Sequence, residues 1–98
     1  MKDDLMEVSE IKRKVLPVLK KVGVKRAGVF GSFARGDYKK DSDVDLLVQV
    51  SSGTSLLDFV KIEFELQDVL GRNVELLTYK SLNPLLKKSI LSEEVKIL

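Results

Sequence analysis

The sequence predicts an α/β fold, a small mixed β-sheet covered by helices. Three observations predict it. Two stretches, residues 11–22 and 56–70, carry apolar residues at helical spacing. Short runs rich in β-branched and other apolar residues, VKRAGVF, DVDLLVQV and NVELLT, stop at glycine or polar turns. The two kinds of segment alternate in the order helix, strand, turn, strand, helix, strand, helix, strand.

Each element has its own local signal. From Ser9, residues Ile11, Val15, Val18, Leu19 and Val22 follow a helical period, with Ser9 as N-cap, Gly23 as the stop, and a bend expected at Pro17. Residues 24–30 read as the first strand and SFARG as a short helical turn. Residues 43–50 read as the second strand, closed by the turn SSGTS at 51–55. The helix over 55–70 shows two apolar stripes, one of Phe59, Ile62, Leu66, Val69 and Leu70, the other of Leu57, Val60 and Phe64. One stripe faces the sheet. The second is assigned to the core, with a surface for another protein as the alternative. After Gly71 come a strand at 73–78, a helix at 81–92 and a short terminal strand at 95–98.

Ninety-eight residues make a single domain, 1–98, able to bury about 60 to 70 per cent of its unfolded surface. No repeat, low-complexity tract or linker divides it. A net charge of +2 is too small to argue for nucleic-acid or membrane-surface binding. The chain has no Cys and no His, which removes disulfides, a thiolate nucleophile, the usual general base and a common zinc ligand. What remains is carboxylate, hydroxyl, Lys and Arg chemistry. The N-terminus MKDDLMEVSE has no apolar signal region, so a cytoplasmic protein is expected. One third of the residues are charged, a composition that fits a thermophile.

The unusual stretch is GSFARGDYKKDSDVDLLV, residues 31–48, where Asp43 and Asp45 interrupt an apolar run. Alternate strand residues share a face, so the two carboxylates stand side by side. Like charges repel unless solvent or a divalent cation relieves them, and Mg²⁺ takes hard oxygens of this kind together with substrate phosphate. Glu75 stands at the matching point of the next strand, which at about 4.8 Å away is within reach of the same site. Ahead of the acids, Gly31 lets an anion approach backbone N–H groups and Ser32 adds a hydroxyl. Arg35 can reach a phosphate oxygen or pair with a nearby acid. Lys39 and Lys40 belong to a solvated loop that can help draw in a triphosphate. Arg35-Gly36-Asp37 also spells a cell-attachment tripeptide, which a chain without a secretion signal has no occasion to use.

Gly31-Ser32, Ala34-Arg35-Gly36 and Ser42-Asp43-Val44-Asp45-Leu46, followed by a strand with a third acid, resemble the minimal nucleotidyltransferases, the small one-domain branch of the DNA polymerase beta-like superfamily. The resemblance covers nearly the whole chain. It implies the polymerase beta-like fold, with Gly31, Ser32 and Arg35 on the nucleotide and Asp43, Asp45 and Glu75 as catalytic acids and metal ligands. ATP would be the substrate and Mg²⁺ the cofactor, as two ions about 3.5 to 4 Å apart. The third acid is usually Asp in that family. Glu75 is one methylene longer, on the scale at which misplacement costs about 10²-fold in rate.

Larger relatives carry an added helical domain, for which no residues remain here. The acceptor pocket would then come from a second copy of this chain or from a different protein. The resemblance implies a HEPN-domain toxin as that partner, in one of two ways. The chain transfers AMP from ATP to a tyrosine of the toxin as an enzymatic antitoxin, or it masks the HEPN RNase by contact alone. A stand-alone transferase acting on a small molecule ranks below both.

Overall fold

The computed structural model describes residues 7–98. Its elements run α1 (Val8–Lys21), β1 (Arg26–Phe30), α2 (Gly31–Arg35), β2 (Val44–Gln49), α3 (Leu56–Leu70), β3 (Val74–Thr78), a 3₁₀ turn (Tyr79–Ser81), α4 (Pro84–Glu93) and β4 (Val95–Lys96). This is the predicted order, on a four-stranded mixed sheet arranged β3-β2-β1-β4. β1 is antiparallel to both β2 and β4, while β2 and β3 are parallel, joined across the sheet by α3.

The ends of the elements show which local signals act. α1 starts at Val8, so Ser9 lies inside it and is not the N-cap; Glu7 takes that place without a side-chain bond. The helix runs as one segment through Pro17 and stops before Gly23, whose φ of +81° is left-handed. α3 is capped at both ends: Ser55 Oγ accepts the Asp58 N–H at 3.1 Å, and Gly71 (φ +68°) closes it. α4 begins with Pro84 behind Asn83, whose Oδ1 accepts the Leu85 N–H at 2.9 Å.

The two faces of the sheet are unequally covered. On one, Ile11, Val15 and Leu19 of α1 and Ile62, Leu66 and Leu70 of α3 pack over Val29, Val44, Leu46 and Val48, with Phe33 of α2 at the side. On the other, the 3₁₀ turn and α4 cover only a small cluster of Phe30, Leu47 and Leu82, flanked by Leu77, Ile90 and Leu91. Asp45 and Glu75 share the second face with Leu47 and Leu77, at the corner where the apolar cover runs out. The two neighbouring strands can therefore each hold an acid without burying it fully.

The second stripe of α3 does not join the core. Leu57 is 65% and Phe64 64% exposed, and Val60 is only partly covered. α3 rests mainly on α1 and β3, so one stripe suffices to seat it and the other turns outward. The wheel shows two faces but not how many neighbours the helix has. Leu66→Ala is expected to cost about 2–5 kcal/mol and Phe64→Ala less than about 1 kcal/mol in urea unfolding. Equal losses would show that Phe64 is covered in solution.

Candidate active site

Asp43, Asp45 and Glu75 converge on that open corner, each by a different route. Residues 39–42 close into a turn, with Ser42 N–H on Lys39 O at 3.0 Å and Lys39 N–H on Ser42 Oγ at 2.7 Å. Asp43 follows this turn, exposed, one residue ahead of β2. Asp45 is half-buried within β2, and the parallel register sets it directly beside Glu75 of β3, which is exposed. The Asp45 carboxyl is pushed up to about 6. Desolvation is the first cause, then the charge of Glu75 and a hydrogen bond between the two carboxyls, then the charge of Asp43, with Arg35 acting in the opposite sense.

Asp45 and Glu75 are thus the touching pair, with Asp43 close enough to add its field. Among the described residues no three acids already form a ready cage for an ion. Two adjoining carboxylates fit the habit of Mg²⁺, which commonly takes one or two carboxylates and completes its shell with water and substrate phosphate. The donor set is all hard oxygen, and its mutual repulsion is what a cation would relieve.

Gly31, directly after β1, meets Asp45. Its φ is +73°, and a Cβ there would collide with Asp45 Oδ2, so a side chain at 31 would drive Asp45 out of place. From Gly31 the chain turns at once into α2, which carries Ser32, partly buried, and Arg35, exposed. Gly31 N–H donates to Glu93 Oε1 at 3.0 Å, and Arg35 Nη1 donates to the same oxygen at 3.2 Å. Arg35 also pairs with Asp37 at 3.2 Å. In this structure two of the three groups expected to meet phosphate, Gly31 N–H and Arg35, are therefore held by a carboxylate of α4. Sequence reasoning missed Glu93, which ends an ordinary helix and shows its role only when α4 folds back over α2. It also missed Arg72, whose Nη1 donates to the Lys40 and Ser42 carbonyls at 3.1 Å. A groove lined by Lys25, Gln49, Ser51, Thr78 and Tyr79 opens past the far end of β2 and contains none of these acids.

The nucleotidyltransferase domain family matches residues 7–97, and the chain belongs to that family. A Methanocaldococcus jannaschii protein provisionally named a protein adenylyltransferase is 54% identical over 95% of this chain and all of its own. The protein adenylyltransferase MntA of Thermococcus cleftensis is 44% identical over 76% of each chain. Among solved structures, one provisionally described as a minimal nucleotidyltransferase superposes with a TM-score of 0.78 at 34% identity, over 93% of this chain and 96% of that one. The MNT antitoxin complexed with a tri-AMPylated HEPN toxin of Shewanella oneidensis gives a TM-score of 0.72. At 15% identity, over 92% of this chain and 71% of that one, this likeness shows the fold alone. No helix among the described residues is long and apolar enough to cross a membrane.

The raised Asp45 carboxyl carries a stability consequence. The folded protein keeps this proton up to about pH 6, whereas an unfolded chain releases it near 3.8. The folded state therefore binds more protons between those values, and stability falls as pH rises through that window and stays lower above it. Asp45→Asn is expected to raise stability at pH 7.5 by about 1–2 kcal/mol, a figure discounted because the side chain is partly solvated. Mg²⁺ should raise the Tm of the parent protein and leave that of Asp45→Asn unmoved. A destabilised Asp45→Asn would contradict the repulsion.

Proposed function

We propose that this chain is a Mg²⁺-dependent protein adenylyltransferase that moves AMP from ATP to a tyrosine hydroxyl of a HEPN toxin, and so works as the antitoxin. The observation that carries this reading is the Asp45–Glu75 pair with Gly31 pressed against it, in a chain 54% identical to a relative provisionally named a protein adenylyltransferase. The neighbouring fold complexed with an AMPylated HEPN toxin supports the choice of acceptor.

Asp43, Asp45 and Glu75 are the residues that would hold Mg²⁺, which when bound supplies positive charge against the α-phosphate and the leaving pyrophosphate. Gly31 and Ser32 seat the triphosphate tail, with Arg35 turning from Glu93 to a phosphate oxygen. The tyrosine oxygen attacks the α-phosphorus in line, the bond to the β-phosphate oxygen breaks, pyrophosphate leaves, and the hydroxyl proton passes to Glu75. The chain works as one domain in a cytoplasmic setting, with the acceptor brought by its partner.

One observation favours the alternative of neutralisation by contact: Glu93 already satisfies Gly31 N–H and Arg35, so a triphosphate must compete with it. Incubation with α-labelled ATP, Mg²⁺ and the cognate HEPN protein separates the two. Label is expected on a tyrosine of the HEPN protein, reduced at least about 100-fold by Asp43→Asn/Asp45→Asn. An unlabelled partner whose RNase is silenced equally by both versions would overturn the transferase reading in favour of the contact one.

A further inference from the structure

Asp43 enters none of the ion pairs among the described residues, and it stands outside the strand that orders Asp45. Its position therefore depends on the backbone on either side of it. A peptide unit is planar, so fixing one of its polar atoms fixes the direction to the next Cα. The peptide entering Asp43 carries the Ser42 carbonyl, and that oxygen accepts a hydrogen bond from Arg72 Nη1 at 3.1 Å. The peptide leaving Asp43 carries the Val44 N–H, which donates to Asn73 O at 2.9 Å. Both grips come from one dipeptide, the connection between α3 and β3.

Arg72 does more than close one bond. Its Nη1 also donates to Lys40 O at 3.1 Å, so the guanidinium spans the two carbonyls of the 39–42 turn. The guanidinium carbon lies 5.3 Å from the centroid of the Phe33 ring, which stacks on Tyr38 at 4.1 Å. One side chain thus ties together α2, the loop that leads to Asp43, and the start of β3. Two residues after the Arg72–Asn73 dipeptide, β3 reaches Glu75, so the same segment sets both outer acids against Asp45.

We infer that Arg72 is the positioning residue of the acidic site: it holds the Ser42–Asp43 peptide so that the Asp43 carboxylate can join Asp45 on a divalent cation. Lysine cannot replace it fully, because an ammonium that reaches the two carbonyls lacks the planar, weakly hydrated guanidinium that lies over the Phe33 ring. The inference rests on the reading of Asp43 as a metal ligand, not on the acceptor being a HEPN toxin.

The test is Mn²⁺ affinity measured by calorimetry on the intact protein, well below its Tm, for the parent, Arg72→Ala and Arg72→Lys. Arg72→Ala is expected to weaken Mn²⁺ binding about 10- to 100-fold, the usual range for groups that orient metal ligands, and Arg72→Lys is expected to fall between. Hydrogen exchange at the Val44 amide, which donates to Asn73 O, should speed up in the same order, while the amides of β1 stay protected. Should Arg72→Ala not fold, Arg72→Lys carries both measurements. Unchanged Mn²⁺ affinity and unchanged exchange in a folded variant would overturn the inference, as would a parent protein that binds no Mn²⁺. Intact Mn²⁺ binding without label transfer would instead count against the proposed reaction and leave the role of Arg72 standing.

Discussion

The parallel pairing of β2 with β3 is the constraint on which the site depends. It sets Asp45 opposite Glu75 in one ladder, so the two residues cannot leave each other's side without unzipping the sheet. The partial desolvation of Asp45, and then the charge of Glu75, raise its proton affinity. The fold tolerates this because the opposite face carries most of the apolar packing, leaving this corner only lightly covered. A cation would relieve the strain that the register imposes. Under the role proposed for Asp45, stability and function pull against each other there, as is common where a site must hold charge in place.

Around that pair, three backbone devices bring the rest of the site into range. Gly31 supplies a left-handed turn and leaves the space that Asp45 fills. The 39–42 turn, gripped by Arg72, delivers Asp43 to the start of β2. α4 folds back so that Glu93 reaches the Gly31 N–H and Arg35. Each device comes from a different part of the chain, and each acts on the same few ångströms.

Much of this was legible in the sequence because the signals were local. The alternation of helix and strand, the stop at Gly71 and the pairing of GSxARG with SDxDL are patterns of neighbours, and the structure repeats the predicted element order. The matching of Asp45 with Glu75 was readable because both acids interrupt apolar runs. What escaped depended on contacts far apart in the chain. Glu93 lies 62 residues from Gly31, and Arg72 lies 30 from Ser42. The outward stripe of α3 escaped for a related reason, since the period of a helix marks its faces but not which of them has a neighbour. Ser9 as a cap failed by two residues, the cap being Glu7 ahead of Val8.

The most direct test of the central claim is a carboxyl-detected NMR titration that follows Asp45 with and without Mg²⁺. The desolvation of Asp45 and its pairing with Glu75 predict a midpoint near pH 6 in the metal-free protein. Saturating Mg²⁺ should move that midpoint down toward the ordinary carboxylate range of about 4. A midpoint already near 4 and indifferent to Mg²⁺ would contradict it, because Asp45 and Glu75 would then be ordinary solvated acids with no ion to gather.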